Sequence, residues 1–136
     1  MKRSQEYYHN RKMLKELVED GITFRPSVED MSKWFDILNE QIFGNKLEPV
    51  KKFQIKHTDE LYAYYGYFEK GHKKHGKNRI VMNKKFSSKK KFVEILAHEM
   101  IHHFQAQYDE PVDHGDTFDA WSDNFKIKGL NLYKVK

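Results

Sequence analysis

His98-Glu99-Met100-Ile101-His102 has the residue types and spacing from which a hydrolytic zinc site can be built on a helix. On a helix, residues four apart share one face about one turn apart, so both imidazoles can reach a single ion. Glu99 is then placed to take a proton from water activated by that ion. Cysteine is absent from the 136 residues. That excludes disulfides, a thiol nucleophile and thiolate-bound zinc, and leaves histidine and carboxylate as the strong metal ligands. The alternative is a helix whose two histidines only satisfy polar contacts.

A catalytic zinc takes three protein ligands and keeps a fourth position open. The best third candidate is His114, twelve residues beyond His102 and past the break at Pro111, where a turn could fold the next helix back toward the ion. Asp116 and Asp119 are the carboxylate alternatives. The metzincin pattern fails, because Gln105 and Tyr108 stand where it needs Gly and His. His103 lies about 100° around the helix from His102 and is expected to face solvent or a partner of the site. A tyrosine of the 62–67 run, or Tyr108, could stabilise an oxyanion, with core packing as the alternative role.

The helix carrying these groups reads as Ser87-Ser88 to about Tyr108, with Phe92, Ile95, Leu96, Met100, Ile101 and Phe104 as apolar contacts. Asp109-Glu110-Pro111 ends it. A further helix is expected from about 113–116 through Phe118, Trp121 and Phe125 to Gly129. Upstream, residues 4–19 read as a weakly amphipathic helix closed by Gly21. Ser27-Val28-Glu29-Asp30 starts another helix, with Val28, Met31, Trp34, Phe35, Leu38 and Ile42 as its core stripe and Gly44-Asn45 as its end. Three strands follow: one holding Phe53, Ile55 and His57 on one face, one from Tyr62 to Phe68, and one from Arg79 to Asn83. The last two pair as a hairpin with the glycine-bounded loop 71–76 at its tip.

Charge is unevenly spread over a chain of net charge +5. Lys70, Lys73, Lys74, Lys77, Arg79, Lys84, Lys85, Lys89, Lys90 and Lys91 form a run without a single acid, whereas 109–123 holds six acids and no Lys or Arg. The basic run, with Tyr62, Tyr64, Tyr65 and Tyr67 beside it, suits phosphate contacts and base stacking on DNA. A solvated lysine-rich hairpin is the bland alternative. The amino terminus lacks the apolar stretch of a secretory signal, and no window reaches the length of a membrane span. A cytoplasmic or otherwise intracellular protein without membrane contact is expected.

Several stretches together resemble the SprT-like zinc metallopeptidases, the group that includes the Spartan-type DNA–protein crosslink proteases. They are Trp34-Phe35-Asp36-Ile37-Leu38-Asn39 through Phe43-Gly44-Asn45-Lys46-Leu47, Gly66-Tyr67-Phe68, Arg79-Ile80-Val81-Met82-Asn83, Ile95 to His102, and His114-Gly115-Asp116-Thr117-Phe118. The resemblance runs from about residue 28 to 125. It implies His98, His102 and His114 as ligands of one zinc ion and Glu99 as catalytic acid and base. It also implies an α+β, minimal zincin-like fold, with a small antiparallel or mixed three-stranded sheet packed on helices and the motif on a central helix. One metallopeptidase domain is expected over 1–136, with 1–26 as a helical extension and 27–130 as core. The implied activity is a zinc-dependent endopeptidase acting on protein or peptide substrates, including DNA-associated ones. The alternative is a nucleic-acid-binding module of the same family with little proteolysis. By analogy with zincins, the strand before the zinc helix would take substrate as an added strand. The cysteine-based zinc ribbon of many relatives has no counterpart here, so the resemblance bears on protease chemistry more than on DNA dependence.

Overall fold

Serines at three helix starts do the same local work. Ser4, Ser27 and Ser88 each accept a hydrogen bond from the backbone N–H three residues on, satisfying a donor that the first helical turn leaves without a partner. At Ser27 the bond is reciprocated, since Asp30 accepts from the Ser27 N–H at 2.8 Å. Such a cap is worth about 1 kcal/mol. The computed structural model describes residues 4–57, 62–66 and 78–133. In chain order its elements are α1 (Gln5–Lys15), α2 (Val28–Gln41), β1 (Lys52–Ile55), β2 (Ala63–Gly66), β3 (Arg79–Met82), α3 (Lys89–Gln107), α4 (Asp116–Asp119) and α5 (Ser122–Ile127).

The architecture is α+β, a small mixed three-stranded sheet packed against helices, with strand order β1-β3-β2. β2 and β3 pair antiparallel, with Ala63 opposite Met82, as expected of the hairpin. The expected loop at its tip lies outside the described residues. β1 runs parallel to β3, Lys52 opposite Arg79. Being central, β3 is buried through Ile80, Val81 and Met82, the continuous apolar run of a strand covered on both faces. Both of its edges are taken, so the strand before the histidine helix cannot accept substrate as an added strand. Within this sheet the strand edges belong to β1 and β2.

α3 is the most enclosed helix. Thirteen of its nineteen residues are buried, on every side rather than along one stripe, as fits a helix in the middle of a core. It packs on α2 through Met31, Trp34, Phe35 and Leu38, all of them buried as the stripe in α2 requires. Val28, in the first turn of α2, is exposed instead. α1 is shorter than its pattern suggests and ends at Lys15. Leu14 is buried, but Tyr8 and Val18 face solvent. Its docking on α2 is partly polar: Asn10 donates to Glu40 at 3.0 Å, and Gln41 donates to the Tyr7 carbonyl at 3.0 Å.

The last helix is two short ones. The backbone N–H of Trp121 bonds to the carbonyl of Phe118, three residues back, and tightens the turn between α4 and α5. The Trp121 ring sits 4.6 Å from Phe43 and 5.0 Å from Phe104. Aromatic packing thus outweighs helix continuity at that point. None of the described helices is long and apolar enough to cross a membrane.

Candidate metal centre

α3 carries His98 and His102 one turn apart, and the turn after Pro111 returns His114 to them. One ring nitrogen from each of the three lies within 4.8 Å of the others, the one such group of His, Cys, Asp or Glu among the described residues. Asp116 and Asp119 are not in it. His114 Nε2 stands 3.2 Å from His102 Nε2 and 3.3 Å from His98 Nε2. Beneath the cluster lies Phe118, fully buried, its ring 4.8–5.5 Å from all three imidazoles. His98 is 3 % exposed and His102 9 %, and His114 is the most accessible of the three.

The protons on these rings can be assigned from their partners. His98 Nδ1 faces the Tyr133 carbonyl, which only accepts, so Nδ1 carries the hydrogen. For His102 the assignment runs through Gln105. The Gln105 amide nitrogen donates to the Asp113 carbonyl at 3.0 Å and to Thr117 Oγ1 at 3.0 Å. Its oxygen therefore faces His102 Nδ1, at 2.9 Å, and takes that hydrogen. With Nδ1 as the only protonated nitrogen, His98 and His102 would both turn Nε2 lone pairs toward His114 Nε2. One proton there could bridge only one of them at a time, whereas a cation satisfies all three nitrogens. The cluster is a histidine site capable of coordinating a metal ion.

Gln105 is fully buried and ties the helix bearing His102 to the turn bearing His114. Its spacing of three from His102 puts both on one helix face, a signal available in the sequence. Groups that orient ligating histidines typically matter 10–100-fold in metal affinity. Gln105→Leu is therefore expected to weaken metal binding about 10–100-fold, measured by competition with a chromophoric chelator. Unchanged affinity would show that His102 needs no such partner.

Glu99 is 4 % exposed, with its carboxylate 3.7 Å from His98 Nε2. His103 is not at solvent; it is buried and bonded at both nitrogens. Nε2 donates to the Glu48 carbonyl at 2.7 Å, so Nδ1 accepts the Tyr65 hydroxyl hydrogen at 2.9 Å. Burial, the largest effect, holds its pKa below the ordinary histidine value against the opposing pull of Glu48. This pair joins β2 and the 46–48 segment to α3. Tyr65 is thereby engaged with His103, and Tyr108 donates to the Lys46 carbonyl at 3.2 Å. Of the other tyrosines considered for an oxyanion, Tyr62 and Tyr64 lie beside lysines and an arginine, and Tyr67 lies outside the described residues.

The basic run divides. Lys70, Lys73, Lys74 and Lys77 lie outside the described residues. Arg79 sits over the Tyr64 ring at 5.8 Å, and Lys84 and Lys85 are exposed. Lys89 lies over Trp34 at 5.5 Å, Lys90 pairs with Glu94 at 3.5 Å, and Lys91 lies over Tyr133 at 3.6 Å. Lys89 and Lys91 therefore hold the start of α3 to its surroundings, whereas Lys90 pairs within the helix. Tyr133 itself, whose carbonyl meets His98, is 35 residues from it in sequence, and no local spacing points to it.

A search among curated proteins found no match. A family profile does match: that of the SprT-like family aligns with residues 31–134, from α2 through the histidine cluster to the segment that meets His98, and the chain belongs to that family.

Proposed function

We propose that the protein is a zinc-dependent metalloendopeptidase, a single metallopeptidase domain of minimal zincin-like fold that hydrolyses peptide bonds with Glu99 as acid and base. The observation that carries this reading is the spacing of the three Nε2 atoms, 3.2 Å and 3.3 Å from His114 to its two neighbours. Nitrogens bound to zinc at about 2.0–2.1 Å in a tetrahedral arrangement stand about 3.3–3.4 Å apart. Both spacings match those of nitrogens that share one ion. Three neutral imidazoles, in a chain without cysteine, match the donor set of catalytic zinc rather than of closed structural sites.

When bound, zinc supplies Lewis-acid chemistry, polarising a carbonyl and bringing the pKa of water to about 7. The chain's own residues do the rest. His98, His102 and His114 hold the ion. Gln105 and the Tyr133 carbonyl keep two of those rings in the form that presents Nε2. Glu99 accepts the proton of the attacking water and returns it to the departing amine. Its near-complete burial beside His98 keeps bulk water from competing for that proton.

Elemental analysis of the purified protein is expected to find one zinc per chain. Casein cleavage is expected to stop on treatment with a strong chelator and to return when zinc is restored. Cleavage that continues at the same rate after the metal has been stripped would rule the reading out.

A further inference from the structure

Glu94 lies one turn before His98 on α3 and is fully buried. A carboxylate kept in a protein core needs partners for both oxygens. Glu94 has them: Oε2 accepts the Asn131 backbone N–H at 2.7 Å and faces Lys90 Nζ at 3.5 Å, while Oε1 accepts the Tyr133 hydroxyl at 3.3 Å. Both hydrogen bonds go to a segment more than thirty residues away in sequence. That same segment supplies the carbonyl that takes the His98 Nδ1 hydrogen. Lys91, over the Tyr133 ring, closes on it from the side. An apolar residue at position 94 could pack against the same neighbours, but it could not capture a backbone N–H.

We infer that Glu94 is a positioning residue for the metal centre. It clamps residues 131–133 against α3, and through the Tyr133 carbonyl it keeps His98 in the Nδ1–H form with Nε2 turned toward His102 and His114. The consequence for zinc rests on the reading of these histidines as ligands; the consequence for the His98 ring does not. Metal affinity and the seating of 131–133 are therefore linked, and by reciprocity zinc holds that segment down as firmly as the segment supports zinc.

Asn131→Pro tests this without touching α3, because proline lacks the N–H that Glu94 holds. In the metal-free protein, long-range proton–nitrogen NMR spectra are expected to show His98 as the Nδ1–H form in the parent and as a mixture of both forms in Asn131→Pro. Zinc affinity, by chelator competition, is expected to fall about 10–100-fold in Asn131→Pro and in Glu94→Ala. Glu94→Gln, which retains an acceptor for the Asn131 N–H, should recover most of the loss. A purely structural staple would lower the melting temperature of the metal-free protein yet leave both the His98 ring form and the zinc affinity unchanged, and that result overturns the inference. If Glu94→Ala does not fold, Asn131→Pro decides. Should the parent bind no zinc while its His98 ring responds as expected, the ligand reading fails and the clamp stands.

Discussion

Zinc-loaded Glu99→Gln protein is expected to keep its fold and its metal and to lose about 10²–10⁴ of its rate on casein. The amide has nearly the shape of the carboxylate, so the buried space beside His98 is filled as before. It cannot accept a proton at neutral pH, so under the proposed mechanism only the general-base contribution is removed. The zinc content of the same preparation, measured alongside the rate, separates loss of the base from loss of the ion. A mutant that binds one zinc and turns over casein at a comparable rate would remove Glu99 from the reaction.

His114→Ala acts on the ion instead of the proton. Zinc sites with four protein ligands bind with apparent free energies of about 10–16 kcal/mol, so an even share per ligand is about 3 kcal/mol. Affinity is expected to fall about 10²–10³-fold on that basis. His114 is the most exposed of the three and lies in the turn before α4, so its loss should disturb the fold little. Cleavage and zinc affinity should fall together, and excess zinc should return only part of the rate. If His114→Ala bound zinc as tightly as the parent, the third ligand would have to be sought elsewhere.

These two expectations draw on signals of different kinds. His98 and His102 are legible from spacing, because i and i+4 meet on any helix whatever surrounds it. The helix was legible too, from the Ser88 cap, its apolar residues and the break before Pro111. His114 is legible as a residue type past a break, while its approach to the others depends on Phe118 packing under all three rings and on Gln105 bridging to Asp113. Gln105 carries two signals: in the sequence it breaks the metzincin pattern, and in the fold its own amide orders the site. His103 behaves similarly. Its angle around the helix distinguishes it from His102, but only the packing of β2 and the 46–48 segment determines that it is buried and bonded at both nitrogens.

The pairing within the sheet shows the same division. A hairpin between β2 and β3 follows from their nearness in sequence, whereas the parallel pairing of β1 with β3 joins strands far apart and puts β3 in the centre. That placement closes both edges of β3 and redirects any strand addition to β1 or β2.

By itself, then, the amino-acid sequence determined the features of short range: the caps, the apolar periods, the two histidines with their intervening glutamate, and the absence of any thiol. The tertiary structure decided which distant groups complete them. His114, Gln105 and the Tyr133 carbonyl converge on α3 because buried polar groups must find partners wherever the packed chain brings them. Helical spacing is a property of a few consecutive residues, whereas the tautomer of His98 depends on a carbonyl 35 positions away that only folding delivers.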